Sequence, residues 1–130
     1  MANTISISVD PGDGTAPKQF TGIPWFPGIT VLQAMVIGQS MNPGTFSFRV
    51  LYHSFFGAFV DAIDDVADED GKFWLFSVED QPSSLGVSEA VILEDQSGEN
   101  IDVEWLFTVP DDHPAKHQAS VKMKAYERRR

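Results

Sequence analysis

The stretch of sequence that decides the fold runs from Phe46 to Phe107 and contains four segments of strand length. In each segment apolar and polar residues alternate or nearly alternate, and Gly, Pro, Asn or Asp residues bound it. This pattern is typical of β-strands with one side facing a core. In chain order the segments are FSFRV (Phe46–Val50), GAFVDAID (Gly57–Asp64), FWLFSV (Phe73–Val78) and IDVEWLF (Ile101–Phe107).

Further strands are predicted on both sides of this stretch. Ile5–Val9 alternates strictly, and Gln19–Phe26 should return antiparallel to it after a turn-rich loop. Val87–Leu93 is predicted as another short strand. Ser120–Tyr126 is predicted as a last edge strand, with its two lysines, Lys122 and Lys124, pointing outward to protect the edge.

One segment changes to a helical period. Thr30 and Gln33 match a capping box, and Gly38 supplies a stop signal, which predicts a helix over Val31–Ile37. Its core-facing residues would be Val31, Leu32, Met35 and Val36.

Together these elements predict an α+β fold in one domain of 130 residues. The economical arrangement is a β-grasp-like mixed sheet packed against one short helix, with extra edge strands. Residues 4–109 would form the core, and residues 110–130 a linker and the C-terminal edge strand. The bulky rings expected to fill that core are Phe48, Phe59, Trp74, Phe76, Trp105 and Phe107.

Composition excludes several functional classes. Nineteen acidic residues against nine basic ones give a net charge of −10, which disfavours binding to nucleic acid. The chain has no cysteine, so disulfides, thiol nucleophiles and thiolate metal sites are excluded. No apolar run is long enough for a membrane span, and the first residues lack signal-peptide features. We therefore expect a cytoplasmic protein or a processed exported form.

The order and spacing of these segments resemble the domain at the C-terminus of transcobalamin and intrinsic factor, which small bacterial proteins also contain. The helix opening Thr30–Met35, the glycine-led strand Gly57–Ile63, the strand Phe73–Val78 and the Trp-containing strand Val103–Phe107 carry the resemblance. It covers about Ile5 to Val109 and implies a β-grasp fold. Two departures lie in loops, where the family has Asn-Gly after the Trp74 strand and Gly-Asp at positions 100–101.

The resemblance also implies a ligand. In the vitamin carriers such a domain covers one face of the corrinoid, while a separate helical barrel holds the rest. This chain has no room for that barrel, so cobalamin binding would require a partner to supply the other wall. Cobalamin is thus a possible cofactor by family analogy alone.

The acidic run around Asp64–Asp70 suggests a calcium-binding loop. With Gly71 at the sixth place of an EF-hand loop, Val66 and Ser77 would occupy places that require carboxylates, so that motif fails. A looser cation site remains open as an alternative to a solvated hairpin loop. Its candidate ligands are Asp64, Asp65, Asp68 and Asp70.

The sequence offers little for catalysis. His113 and His117 have helical spacing for a metal pair, but Pro110 and Pro114 bracket them in a polar linker. The chain has no Gly-x-Ser-x-Gly elbow and no Gly-rich loop before the helix. We therefore expect a protein that is not an enzyme.

Aromatic residues at loop ends are the candidate binding groups. Trp25 and Phe26 lie between two prolines, and Phe55 and Phe56 lie at a strand turn. They either plug the ends of the sheet or form a rigid apolar platform. We expect a recognition module that binds a small molecule or a protein partner through these aromatics and the acidic hairpin.

Two other functions stay open. The first is an assembly element that pairs through an edge strand, either the Lys122/Lys124 strand or the Ser6/Ser8 strand, and so forms an oligomer. The second is a corrinoid-capping subunit.

Overall fold

The structure is a computed structural model, and it describes residues 3–53, 57–69, 71–79, 81–82, 86–94, 100–110, 113, 118–119 and 122. In chain order the elements are β1 (Thr4–Asp10), β2 (Lys18–Pro24), α1 (Val31–Met41), β3 (Phe48–His53), β4 (Gly57–Ile63), β5 (Val66–Ala67), β6 (Phe73–Val78), β7 (Gln81–Pro82) and β8 (Ile101–Thr108). Among these described helices none is long and apolar enough to cross a membrane.

The strands form two sheets. The larger has the order β2-β1-β8-β6-β7, and the smaller has the order β3-β4-β5. The larger sheet is mixed, because β1 pairs in parallel with β8 while the other pairs are antiparallel. Helix α1 packed against mixed strands confirms the predicted α+β class. β1 lies inside the sheet between β2 and β8, so the prediction that the Ser6/Ser8 strand is an edge was wrong.

Helix α1 begins as predicted and ends later. The Thr30 side chain accepts from the backbone N–H of Gln33, and the Gln33 side chain accepts from the backbone N–H of Thr30. The helix then continues to Met41 and is capped by Asn42. Gly38 is therefore not a stop: it is a buried position where the helix approaches the sheet.

The buried face of α1 is rotated from the predicted one, because Ala34 and Gly38 are buried in place of Leu32 and Val36. Val36 is 50% exposed, so placing it in the core was wrong, and Leu32 is half-buried. A Cβ added to Gly38 would lie 3.1 Å from Cδ1 of Ile23. The closest approach to the sheet therefore runs along the face with i, i+3, i+4 and i+7 spacing. The buried residues of the helix are Val31, Ala34, Met35 and Gly38.

The predicted aromatic residues do lie in the core. Trp74 and Phe107 pair across β6 and β8 with ring centroids 5.3 Å apart, and Phe76 and Trp105 pair with centroids 4.9 Å apart. Offset aromatic pairs of this kind stabilise a core beyond the area that they bury. Phe59 is buried as well, and Phe48 packs against the same cluster while partly exposed.

Two segments differ from their predicted secondary structure. Residues 87–89 form a turn, and only Val91 makes a β-bridge, to Thr30, so Val87–Leu93 is not a strand. Its backbone groups bond instead to the helix start and to β4. The predicted strand at Ser120–Tyr126 is also wrong at Lys122, which is helical and 2% exposed. Lys124 lies outside the described residues.

Candidate functional site

Trp25 and Phe26 follow β2 and face different environments. Nε1 of Trp25 donates to the carbonyl oxygen of Ile92 at 2.9 Å, and the partly buried indole packs against the core. Phe26 is 40% exposed. Trp25 and Phe26 were predicted as one candidate binding pair, but their environments differ. Trp25 anchors the loop, and Phe26 faces solvent.

The segment that receives Trp25 carries further exposed apolar groups. Val91 is 49% exposed and Leu93 is 78% exposed, whereas Ile92 between them is fully buried. Ile92 N–H donates to the carbonyl oxygen of Ile29 at 2.8 Å, which joins the segment to the loop of Phe26. We call Phe26, Val91 and Leu93 the apolar loop surface.

The start of α1 holds the other side of this segment. Val31 N–H donates to the carbonyl oxygen of Ala90 at 2.9 Å, and Leu32 N–H donates to that of Val87 at 3.0 Å. With the capping box, these bonds satisfy the amides of the first helical turn. These amides are therefore already bonded within the protein and are not available to an anionic ligand.

The segment is also tied to β4. Val87 N–H donates to the carbonyl oxygen of Ala58 at 2.8 Å, and Ala58 N–H donates to Oγ of Ser88 at 3.0 Å. The apolar loop surface is therefore mounted on backbone bonds to the helix, to β4 and to the Trp25 loop. Phe55 and Phe56 precede β4 and lie outside the described residues.

The acidic hairpin is organised by a tight turn. Asp64 and Asp65 have φ values of 48° and 72° and connect β4 to β5. Positive φ at both central residues is the geometry of a two-residue hairpin turn, which aspartate tolerates better than most residues. The sequence predicted the whole of Asp64–Gly71 as loop, so strand β5 inside it was missed.

Both carboxylate oxygens of Asp64 accept hydrogen bonds from other residues of the chain. Its Oδ1 accepts from Ser47 N–H at 2.9 Å, and its Oδ2 accepts from Nζ of Lys18 at 3.2 Å. This contact stands beside a cleft of about 600 Å³ between the hairpin turn and the loop after α1. Asp65, also on the cleft, is exposed.

Asp68 points to a different part of the molecule. Its Oδ1 accepts from Trp74 N–H at 2.8 Å, and its Oδ2 accepts from Nζ of Lys122 at 3.0 Å. The structure thus directs Asp64 and Asp68 to separate lysines, and Asp70 lies outside the described residues. Over the part of the chain that the structure covers, no three ligating side chains are grouped to hold a metal ion.

The Lys122 side chain lies between the two sheets. Its Nζ donates to the carbonyl oxygens of Val60 on β4 and Trp74 on β6, both at 2.7 Å, in addition to Asp68. Burial lowers the pKa of Lys122, while the charge and hydrogen bond of Asp68 oppose that shift. Three acceptors brought together by the fold compensate the buried ammonium group, and the local sequence around Lys122 gives no sign of them, which explains the error for Lys122.

Gln118 completes the edge of β6. Its side-chain amide accepts from Phe76 N–H and donates to the Phe76 carbonyl oxygen, both at 2.9 Å. The outer backbone groups of Trp74 and Phe76 are therefore bonded to side chains from Asp68, Gln118 and Lys122. Sequence reasoning missed this set because it treated Lys122 as a solvent-facing residue.

The predicted metal pair of His113 and His117 is described only at His113. His113 is 9% exposed, and burial lowers its pKa. His117 lies outside the described residues, as do most of its neighbours in the sequence.

Comparisons with known proteins support a related fold. The structure is similar to haptocorrin, solved in complex with Cbi, with a TM-score of 0.63 and 18% identity over 84% of this chain and 26% of that chain. It is also similar to a candidate metal-binding protein from Ruminococcus gnavus ATCC 29149, with a TM-score of 0.57 and 12% identity over 82% of this chain and 97% of that one. The chain thus spans about a quarter of the length of haptocorrin. No protein-family model and no curated protein matches the sequence.

Proposed function

We propose that this protein is a non-enzymatic recognition module that binds an apolar ligand, or an apolar group of a partner, on the apolar loop surface. The observation that carries the proposal is the combination of exposure and rigidity. Phe26, Val91 and Leu93 are 40%, 49% and 78% exposed, although Ile92, between the last two, is bonded through its N–H to Ile29 and through its carbonyl oxygen to Trp25. A surface that is held in place before binding loses little conformational entropy when a ligand arrives.

Other polar groups considered as ligand contacts are mostly bonded within the protein. The first backbone amides of α1 already have hydrogen-bond partners in the protein, so they are not available to bind an anion. The acidic hairpin leaves Asp65 exposed, while Asp64 and Asp68 are bonded internally. Haptocorrin, which was solved with Cbi bound, is consistent with a ligand-binding use of a related fold.

A binding experiment tests this proposal with Nile red, a neutral apolar dye. We expect the double variant Phe26→Ser/Leu93→Ser to bind at least about tenfold more weakly than the wild type, because each apolar side chain buried by a ligand contributes about 1.5–3 kcal/mol. The matched control is Tyr52→Ser, since Tyr52 is 70% exposed but lies on β3. Equal loss in both variants, or no loss in either, contradicts the proposal.

A corrinoid is the small molecule that the haptocorrin similarity suggests. Trp25 lies next to Phe26 and would report its arrival through indole fluorescence. Because the chain spans 26% of haptocorrin, we propose that it would cover one side of a corrinoid while a partner covers the other. Titration with cobinamide tests this, and an unchanged signal at high micromolar concentration rejects the corrinoid while leaving the Nile red result standing.

A second candidate function is assembly through a sheet edge, and the exposure of β3 favours it. β3 stands at the end of the smaller sheet, and Val50 and Tyr52 on it are 37% and 70% exposed. An exposed edge of this kind can accept a strand from another chain. Light scattering should give a multiple of 14.4 kDa that returns to 14.4 kDa in Val50→Lys. A 14.4 kDa wild type rejects this candidate.

The cation site at Asp64, Asp65, Asp68 and Asp70 stays a prediction. Calorimetric titration with Ca²⁺ would check it, with Asp65→Asn as the variant that leaves the internal bonds of Asp64 and Asp68 intact.

A further inference from the structure

The ammonium group of Lys122 lies in a chamber whose three acceptors are 48, 54 and 62 residues away from it in the chain. Nζ donates to the carbonyl oxygens of Val60 and Trp74 at 2.7 Å and to Oδ2 of Asp68 at 3.0 Å. A charged primary ammonium has three N–H donors, so this arrangement provides one acceptor for each. The chamber thus matches the hydrogen-bonding requirement of a primary ammonium, and a planar guanidinium would need a different set of acceptors.

The walls of the chamber resemble those of a ligand site. A cavity of about 10 Å³ adjoins Lys122, and four aromatic residues, Phe59, Trp74, Phe76 and Trp105, line part of it. Apolar walls with a few convergent polar groups are the usual composition of small-molecule sites. The stem of Lys122 lies along these walls, so an unbranched aliphatic chain fits beside the ammonium position.

The same cavity also contains a polar group that lies outside the set around Lys122. Trp105 is 2% exposed, and in the described part of the chain its Nε1 is a buried donor with no hydrogen-bond partner. Buried donors are nearly always bonded, so this N–H marks a place for an acceptor. An ammonium group offers no acceptor, so this N–H is separate from the ammonium position and serves only as a reporter beside it.

We propose that this chamber is a recognition site for a primary ammonium group on an aliphatic stem, and that Lys122 of the same chain is its internal occupant. Burying the charge here has a desolvation cost, and the three acceptors that oppose this cost stay in place when the Lys122 side chain is removed. A primary amine of matching length can therefore take this place when the Lys122 side chain is absent. The chamber shares no residue with the apolar loop surface.

Chemical rescue of the full chain tests the site. The substitution Lys122→Ala removes three methylene groups and the nitrogen, which together correspond to n-propylamine. We expect n-propylamine at ten times its dissociation constant to raise the Tm of this variant by about 5 °C, because ligand binding stabilises the folded state by mass action. The indole N–H resonance of Trp105 should shift during the same titration.

Three controls separate ammonium recognition from cavity filling. n-Propanol has the same carbon chain but a neutral hydroxyl group, and it should give no comparable stabilisation. The wild type, whose chamber is occupied, and the double variant Asp68→Asn/Lys122→Ala should not respond to the amine. Equal effects of n-propanol and n-propylamine, or no rise in Tm with either, overturn the proposal.

The test remains decisive if Lys122→Ala does not fold alone. The refolding yield from urea is then measured with and without n-propylamine. Folding that depends on the amine supports the ammonium site, and failure to fold in its presence contradicts it.

Discussion

Lys122 and Asp68 stand 54 residues apart in the chain and form a 3.0 Å ion pair whose side chains are only 3% and 4% exposed. Lysine and aspartate are rarely buried to this extent unless they are paired. Each partner also bonds to Trp74 of β6, through its carbonyl oxygen and its N–H respectively. The pair therefore joins the acidic hairpin, the large sheet and the C-terminal part of the chain.

We expect Lys122→Met to lower the free energy of unfolding by about 3–5 kcal/mol, because it leaves the buried Asp68 carboxylate unpaired. Urea denaturation at neutral pH measures the change.

The matched control for that substitution is Lys18→Met at the exposed pair with Asp64, whose side chains are 51% and 21% exposed. Solvent screens that pair, so its loss should change the free energy of unfolding by about 0–1 kcal/mol. Similar losses at the two lysines would argue against a special role of the buried pair.

The contribution of Lys122 to stability should depend on pH. Burial lowers its pKa below the ordinary 10.5 in the folded protein. Between that lowered pKa and 10.5 the unfolded chain binds more protons, so the pH-dependent part of this contribution rises with pH and is lost as pH falls through the folded pKa. The difference in free energy of unfolding between the wild type and Lys122→Met should therefore grow toward about pH 10. A difference that shrinks as pH rises would contradict this assignment.

Trp25 and Phe26 should differ in their effects on stability. Trp25→Ala removes a packed ring and the hydrogen bond to Ile92, and we expect a loss of about 3 kcal/mol. Phe26→Ala removes an exposed ring, and we expect a loss within about 0.5–1 kcal/mol. Thermal unfolding followed by circular dichroism compares the two variants. A larger loss for Phe26→Ala would place it in the core and remove it from the binding surface.

Two glycines in the loop after β1 allow the stability cost of a steric clash to be distinguished from the cost of backbone strain. Gly12 and Gly14 have φ values of 71° and 89°, so alanine is strained at both. A Cβ at Gly12 would lie 2.4 Å from the carbonyl oxygen of Phe107, whereas a Cβ at Gly14 meets nothing within 4 Å. We expect Gly14→Ala to cost about 1 kcal/mol and Gly12→Ala at least about 2 kcal/mol more. Equal midpoints in urea would show that the loop moves away from β8.

The sequence by itself was sufficient for the elements whose signals are local. Alternation identified the strands around Ile5, Phe76 and Trp105, and the Thr30–Gln33 capping box located the start of the helix. These predictions succeeded because strand alternation and helix capping depend on residues within a few positions of each other. Phe26, one residue of the proposed binding surface, was selected in the same way because it is an aromatic residue at a loop end.

Only the tertiary structure decided where the chain exposes or buries the remaining groups. Val91 and Leu93 carry no local signal for a surface, because their exposure follows from the bonds of Ile92 to Ile29 and Trp25. Lys122 matched the pattern of an edge strand, yet three acceptors from distant segments hold it in the interior. Burial of a charge depends on partners brought together by folding, and no window of neighbouring residues contains that information.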